Sequence, residues 1–166
     1  MKVKYFDLKN KRVFISGGGS GIGATIVEHF CEQNSEVYFI DINIKASKKL
    51  LKNIKKKKLR SPTFIECNIL DIKKLQTIIK DIINKKGPIH CLINSAANDD
   101  RHTTEQVDEK YWENRMSINL KHYFFAAQSV VKGMKKIKSG SIVNLSSVSW
   151  VLGEGDKVVY ETAKSA

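Results

Sequence analysis

The feature that most constrains the fold of this chain is a cluster of glycines near its beginning. Five of its ten glycines fall within positions 17–23, in the run SGGGSGIG that starts at Ser16. The run follows a short apolar segment and opens a segment of helical periodicity, which is where a phosphate-binding turn belongs. Gly17 can form the tight turn, Gly21 lets the backbone approach a pyrophosphate, and Gly23 lets the helix pack close to the sheet. The cluster therefore predicts a dinucleotide site.

Short apolar runs alternate with longer helical segments along the rest of the chain. Runs that are nearly continuous in hydrophobicity are typical of strands buried on both faces of a parallel sheet. We predict strands over 12–16, 36–41, 63–67, 89–95 and 141–146, and helices over 21–33, 44–59, 72–85 and about 108–138. This alternation predicts right-handed βαβ crossovers. The expected fold class is α/β, a Rossmann-type doubly wound parallel sheet, with residues 1–166 as a single domain because no linker or repeat divides them.

Composition narrows the function classes. Lys and Arg total 29 against 17 Asp and Glu, for a formal charge of +12, but the lysines are spread along the chain and only four residues are Arg. We interpret this charge as a solvated helix surface, with no specific nucleic-acid partner. The alternative is a patch that binds polyanions, since Lys55–Lys58 form one dense run. The three cysteines are far apart and form no CxxC pair, so we expect no disulfide, no metal site and a cytoplasmic location. No apolar run approaches the roughly 18 residues of a membrane span.

A carboxylate at the end of the second predicted strand indicates which cofactor would bind. Asp41 lies 18 residues after Gly23, where it can accept hydrogen bonds from ribose hydroxyls and repel a 2′-phosphate. Nothing basic occupies positions 18–20, and Ile42 rather than Arg follows Asp41. The pattern favours NAD over NADP. The alternative is that Asp41 is only the N-cap of the next helix.

Near the end of the sequence, Tyr160 and Lys164 are spaced one helical turn apart, on the same face. A free phenol ionises near pH 10, and a nearby ammonium favours its deprotonated form. The alternative is an ordinary amphipathic helix surface. Ser147 lies 13 residues before Tyr160, at the end of the fifth predicted strand, where ligand crevices form in open α/β sheets.

Taken together, these motifs resemble those of the short-chain dehydrogenases/reductases. The matching features are SGGGSGIG, Asp41, NSAA at 94–97, Asn119, SIVNLSS and YETAK, in the family's order over essentially the whole chain. Three departures are NSAA for NNAG, Ala163 in place of the Ser before the lysine, and Asn68 in place of Asp. None of the three removes a catalytic group.

The resemblance implies a role for each matching residue. Tyr160 would be the general acid/base, Lys164 would bind the nicotinamide ribose and favour ionisation of Tyr160, and Ser147 would hydrogen-bond the substrate oxygen. Asn119 would hold a helix kink and a water that links Lys164 to solvent. The cofactor-binding residues implied are Gly17, Gly19, Ser20, Gly21, Ile22, Gly23, Asp41, Asn68, Ile69, Asn94, Ala96, Tyr160 and Lys164.

A finer resemblance concerns the substrate. The stretches NSAANDDRH at 94–102 and SVSWVLGEGDKVVYETAK at 147–164 are similar to sugar dehydrogenases of the D-xylose 1-dehydrogenase type, which oxidise an aldose to its lactone. The candidate substrate residues are Asn98, Ser147, Ser149, Trp150, Glu154 and Tyr160. Each has a local alternative: Trp150 as a core residue, and Asp99 and Asp100 as caps of the next helix. His102 is interpreted as a loop or interface residue rather than a proton shuttle.

The expected function is hydride transfer from an aldose to NAD. The alternatives are another reductase of the family, such as a 3-oxoacyl reductase or a polyol dehydrogenase, or an inactive NAD-binding protein. The resemblance also implies a homo-oligomer, a dimer or tetramer, for the complete protein.

The sequence stops two residues after Lys164, whereas family members continue with further strands. We therefore expect residues 1–166 to be C-terminally incomplete and, alone, inactive and poorly stable.

Overall fold

A parallel five-stranded sheet in the order β3–β2–β1–β4–β5 runs through the computed structural model, which describes residues 3–166. The strands are β1 Arg12–Ser16, β2 Glu36–Asp41, β3 Thr63–Glu66, β4 Cys91–Asn94 and β5 Ser141–Asn144. The helices are α1 Gly21–Glu32, α2 Ile44–Lys56, α3 Ile72–Lys86, α4 Glu109–Met116, α5 His122–Lys136, α6 Ser149–Leu152 and α7 Val158–Ser165. Short 3₁₀ turns cover Phe6–Leu8 and Thr104–Gln106. The predicted α/β fold with a Rossmann-type parallel sheet is confirmed.

The strand order reverses at β1, and this places the cleft. The chain runs outward from β1 to β2 and β3, then returns to β4 on the other side of β1. Ser16 at the end of β1 pairs with both Ile40 and Asn94, so the three central strands end at one level. In open α/β sheets the crevice outside such a reversal receives the ligand.

Two apolar layers cover the faces of the sheet. Because successive strand residues point to opposite faces, each strand supplies both layers. One layer packs the sheet against α3 and α5, and its buried residues include Phe14, Ile40, Leu75, Ile79, Leu92, Ala126 and Val130. The other packs it against α1 and α2, with Val13, Ile15, Val27, Phe39, Leu50, Ile54 and Ile93. The three central strands are buried, as their continuous hydrophobicity predicted, whereas edge strand β3 is partly exposed and edge strand β5 is exposed.

The predicted helix over 108–138 is divided in the structure. Helices α4 and α5 are joined by a π-helical turn at Ser117–Lys121, which contains the buried Asn119. π-helical turns inside α-helices are frequently found at functional sites. The resemblance placed a helix kink at Asn119, and the irregular turn lies there.

Three absences hold for residues 3–166. No helix in this range is long and apolar enough to cross a membrane. No group of three potential metal ligands occurs in the same range. Cys31, Cys67 and Cys91 are free thiols.

The packing of α3 on the sheet yields a test of the fold. Ile79 is fully buried, so Ile79→Ala should lower the free energy of unfolding by about 2–5 kcal/mol. The matched control is Ile42→Ala, because Ile42 is 67% exposed and its truncation should change stability by less than about 0.5 kcal/mol. Urea denaturation of both variants measures the difference, and equal effects would contradict the described core.

Candidate active site and dinucleotide cleft

A cleft of about 700 Å³ opens at the carboxyl ends of the central strands. Its walls are the glycine loop, the segments that follow β2, β3 and β4, and α7. The predicted cofactor residues that line it are Gly17, Ser20, Gly21, Ile22, Gly23, Asp41, Asn68, Ile69, Ala96, Tyr160 and Lys164. Gly19 and Asn94, also predicted, are buried and do not line the cleft; Gly19 donates its N–H to Asp41, and Asn94 donates to Asn144. The tertiary structure thus brings both ends of the sequence to one cavity.

The glycine loop is too close to the sheet to carry side chains. Gly17 has a φ of +70°, and a Cβ there would lie 2.6 Å from the Cα of Ala96. A Cβ at Gly23 would overlap the carbonyl oxygen of Gly17. Gly21 also has a positive φ, +51°, but no heavy atom lies within 4 Å of where its Cβ would be. Its backbone therefore faces open space in the cleft.

The N-terminus of α1 is suited to an anion. Ser20 is the N-cap, and its side chain makes no capping hydrogen bond. The N–H groups of the first turn have no partners within the helix, and the helix dipole adds positive charge at this end. Since Gly21, Ile22 and Gly23 line the cleft, these donors face it. The arrangement fits the pyrophosphate of a dinucleotide.

Asp41 is held rigidly at the mouth of the cleft. One carboxylate oxygen accepts the N–H of Gly19 at 2.8 Å, and the other accepts the N–H of Asn43 at 2.7 Å. The alternative of Asp41 as the helix N-cap does not hold, since Asn43 is the N-cap of α2 and accepts the N–H of Ala46 at 2.9 Å. Nearby, Asn68 lines the cleft and accepts the N–H of Leu70 at 3.0 Å.

Buried polar side chains position the segment that follows β4. The Ser16 hydroxyl accepts the N–H groups of Ser95 and Ala96 at 3.2 and 3.3 Å. The His122 Nε2 donates to the Ala96 carbonyl at 3.1 Å, and burial lowers the pKa of His122 to about 4, so the ring is neutral. Asn94 is also buried and donates to Asn144 Oδ1 at 2.8 Å. Asn94 thus joins β4 to β5 and does not line the cleft.

Asn119, in the π-helical turn, also holds the backbone of the segment that follows β4. Its Oδ1 accepts the N–H of Asn98 at 2.8 Å, and its Nδ2 donates to the Asn98 carbonyl at 3.0 Å. The two bonds fix the backbone of a cleft-lining residue. Its water-holding role, which the resemblance implied, remains a prediction.

Lys164 is the buried cation of the site, at 6% exposure. Its Nζ donates to the Tyr123 hydroxyl at 2.5 Å and to the Leu145 carbonyl at 2.8 Å, and it lies 5.7 Å from the centre of the Tyr160 ring. No carboxylate of residues 3–166 forms an ion pair with it. Burial without a counter-charge lowers the pKa of Lys164 to about 8. The ammonium still predominates at neutral pH.

The two serines at the end of β5 differ in their contacts, and the role of Ser147 toward the substrate oxygen, which the resemblance implied, remains a prediction. Ser146 lines the cleft, and its hydroxyl donates to the carbonyl of Lys164 at 2.6 Å. The predicted Ser147 does not line the cleft; its hydroxyl lies 2.8 Å from the hydroxyl of Ser149. Tyr160 lines the cleft, and its hydroxyl forms no hydrogen bond with any group of residues 3–166. The phenol oxygen is therefore available to a bound molecule.

The other candidate substrate residues are scattered. Asn98 lines the cleft, whereas Ser149, the first residue of α6, is buried. Trp150 is 46% exposed, so it is not a core residue, and its indole N–H donates to Ser146 Oγ at 3.2 Å. Glu154 is exposed and forms an ion pair with Lys157 at 2.6 Å. Sugar contact by these residues remains a prediction.

The two aspartates that follow Asn98 do not cap a helix. Asp108 is the N-cap of α4, and Thr103 caps the preceding 3₁₀ turn. Asp100 instead forms an ion pair with Arg115 at 2.9 Å.

Sequence reasoning missed Tyr123, the hydroxyl that holds Lys164. Tyr123 also donates to the Leu145 carbonyl at 3.1 Å, and it is buried on α5. One signal was present, since a tyrosine four residues after Asn119 interrupts an otherwise apolar face. Its partner Lys164 is 41 residues away, and no local pattern connects them.

The buried ammonium predicts a pH dependence of stability. The pKa of Lys164 is about 8 in the folded protein against an ordinary 10.5, so between these values the unfolded chain binds more protons. The free energy of unfolding therefore rises with pH across this window, by on the order of 3 kcal/mol at about 1.4 kcal/mol per pKa unit. We expect Lys164→Met to remove this rise in urea denaturation, and Lys48→Met, at an exposed lysine, to retain it. Equal slopes for wild type and Lys164→Met would contradict the prediction.

Known proteins share both the sequence and the architecture. A family model described as short chain dehydrogenase matches residues 11–166. The chain is 40% identical over 161 residues to a D-xylose 1-dehydrogenase of Caulobacter vibrioides and 36% identical over 159 residues to a probable galactose dehydrogenase of Rhizobium meliloti. The alignments cover 97% and 96% of this chain, but 63% and 62% of these relatives.

A solved structure agrees with this result. The ligand-free aldohexose dehydrogenase of Thermoplasma acidophilum superposes with a TM-score of 0.83 at 25% identity, over 97% of this chain and 58% of that one. The chain thus spans less than two thirds of the length of the relatives it matches. From the glycine loop to Lys164, the motifs, the sheet order and the family match lead to one conclusion: the chain belongs to the short-chain dehydrogenase family.

Proposed function

We propose that this protein is an oxidoreductase that transfers hydride between a CH–OH group of a sugar and NAD, with Tyr160 as general acid/base. The observation that carries the proposal is the cleft, in which the glycine loop, Asp41, Tyr160 and Lys164 share one cavity. Tyr160 would act at the substrate oxygen, since its hydroxyl faces the cleft without a hydrogen-bond partner among residues 3–166.

The cleft fits a dinucleotide along its length. The unpaired N–H groups at the start of α1 would hold the pyrophosphate. Asp41 would accept the hydroxyls of the adenosine ribose, and Lys164, at the other end, would bind the nicotinamide ribose. A bound nicotinamide ring supplies the hydride acceptor.

Tyr160 would accept the substrate's hydroxyl proton, and Lys164 would stabilise the Tyr160 phenolate. In the oxidation direction, the Tyr160 oxygen takes the hydroxyl proton of the substrate as its carbinol carbon loses a hydride and becomes a carbonyl. Lys164 is protonated at neutral pH, because its pKa is lowered only to about 8. Its positive charge, 5.7 Å from the Tyr160 ring centre, stabilises the phenolate that precedes proton uptake.

The preference for NAD rests on Asp41 and Gly19. The fixed carboxylate of Asp41 would repel a 2′-phosphate at the same place. A Cβ at Gly19 would lie 2.8 Å from the Asp41 carboxylate carbon, so a side chain that could bind a 2′-phosphate has no room there.

The choice of a sugar rests on similarity and on polar groups near Tyr160. The relatives named above are sugar dehydrogenases, at 36% and 40% identity. Asn98, whose backbone Asn119 fixes, supplies an amide at the cleft for a sugar hydroxyl. A 3-oxoacyl reductase or a polyol dehydrogenase would use the same catalytic groups, and a substrate panel separates the three.

The first test removes the proposed acid/base. In the complete protein, Tyr160→Phe should lower kcat for aldose oxidation by about 10²–10⁴-fold, the usual contribution of a positioned acid/base, while NAD still binds. Tyr38→Phe is the matched control, since the Tyr38 hydroxyl donates to Glu36 at 2.6 Å within β2 and does not line the cleft. Both variants are assayed at 340 nm, by NADH formation with D-xylose, D-galactose and glycerol and by NADH consumption with a 3-oxoacyl thioester. Unchanged turnover in Tyr160→Phe would refute the mechanism, and a thioester preference would refute the sugar assignment.

The second test concerns the cofactor. Asp41→Ala should shift the ratio of kcat/KM for NAD to that for NADP toward NADP by at least about tenfold, because about 1.4 kcal/mol of repulsion is removed. Asp71→Ala is the control, since Asp71 also accepts a backbone N–H, that of Lys74 at 2.9 Å, but caps α3 outside the cleft. A ratio that changes equally in both variants would contradict the role of Asp41.

A further inference from the structure

The helix that carries Tyr160 and Lys164 has no cap of its own. Lys157 occupies the N-cap position of α7, and its side chain makes no capping hydrogen bond. The first N–H groups of a helix have no partner within the helix and need an acceptor from elsewhere. One of them, the N–H of Val159, donates to Nε2 of His102 at 3.2 Å. The cap therefore comes from the segment after β4, 57 residues earlier in the chain.

The His102 ring is itself held from three sides. His102 is 6% exposed, and its Nδ1 lies 3.0 Å from the Asp100 carbonyl oxygen and 2.9 Å from the Tyr111 hydroxyl. The backbone N–H of His102 donates to the Asp156 carbonyl at 2.7 Å, just before α7. Because Nε2 accepts from Val159, the ring proton is on Nδ1, where the Asp100 carbonyl can accept it. The ring is a fixed acceptor.

This acceptor lies next to the proposed chemistry without touching it. His102 does not line the cleft, whereas the residue after its partner Val159 is Tyr160. Val159 is fully buried, so its amide defines the position of the first turn of α7. A displacement of that turn would move the Tyr160 oxygen and, one turn further on, Lys164.

We propose that His102 is a positioning residue, whose imidazole caps α7 and sets the position of Tyr160 and Lys164 in the cleft. The effect of His102 on catalysis rests on the proposed function, whereas its capping of α7 rests on the geometry alone. It differs from a proton shuttle, because the ring exchanges no proton with the substrate and contributes only an acceptor.

Three variants of the complete protein test whether the His102 ring acts as the hydrogen-bond acceptor that caps α7. His102→Phe keeps the ring shape and removes the acceptor, and His102→Asn retains an amide that is too short to reach Val159. His102→Gln places an amide oxygen near the position of Nε2. We expect kcat for aldose oxidation to fall about 10–100-fold in His102→Phe and His102→Asn, because small displacements of a catalytic group have effects of this size. His102→Gln should recover most of kcat.

The matched control is His90→Phe. His90 also accepts a backbone N–H through its ring, that of Arg12 at 3.0 Å, but at the amino end of the sheet. Its loss should lower the free energy of unfolding and leave kcat unchanged. A wild-type kcat in both His102→Phe and His102→Asn, or an equal loss in His90→Phe, would overturn the proposal. If His102→Phe fails to fold, the comparison of kcat between His102→Asn and His102→Gln tests the proposal instead.

Amide hydrogen exchange separates this proposal from the proposed function. Protection of the Val159 amide should fall in His102→Phe and His102→Asn and persist in His102→Gln, whether or not the protein oxidises a sugar. Unchanged protection in all three variants would overturn the cap. If the complete wild-type protein turns over none of the substrates tested, yet shows this exchange pattern, the proposed function is refuted and the cap is supported.

Discussion

The close approach of the glycine loop to the ends of β1 and β4 is the constraint on which the rest of the site depends. Gly17 turns directly after β1, and its backbone lies so near Ala96 that no Cβ would fit. This contact directs α1 back across the sheet with its N-terminus toward the cleft. The loop, the segment after β4, and Tyr160 and Lys164 of α7 line one cavity.

Polar groups beneath this surface make the cleft rigid. Ser16, His122 and Asn119 are buried, and each uses its side chain to hold the backbone of the segment after β4. Lys164 is held in the same way by the Tyr123 hydroxyl and the Leu145 carbonyl. Side chains that are hydrogen-bonded in a low-dielectric interior keep one arrangement, since losing such a bond there is costly. Lys164 forms no ion pair with a carboxylate of residues 3–166, so its positive charge can interact with a bound ligand.

Much of the framework could be predicted because it depends on local patterns. Strands β1 and β2 have the predicted bounds, since continuous apolar runs flanked by turn residues mark buried strands. The strand predicted over 89–95 is shorter, Cys91–Asn94, because Ser95 leaves the sheet and its N–H bonds to Ser16. The periodicity of residues 108–138 predicted one continuous helix, whereas the structure has a π-helical turn at Ser117–Lys121. A periodicity count does not detect a polar contact such as that between Asn119 and Asn98.

The sequence by itself determined the strand and helix pattern, the glycine turn and the one-turn spacing of Tyr160 and Lys164, because each depends on neighbouring residues. Only the tertiary structure decided which distant groups meet: Tyr123 with Lys164, Asn119 with Asn98, and His102 with Val159. It also decided that Ser146, rather than Ser147, lines the cleft. The physical reason is that the reversal of strand order at β1 gathers the carboxyl ends of separate strands at one edge. Contacts at that edge follow the packing of the sheet and not the order of the chain.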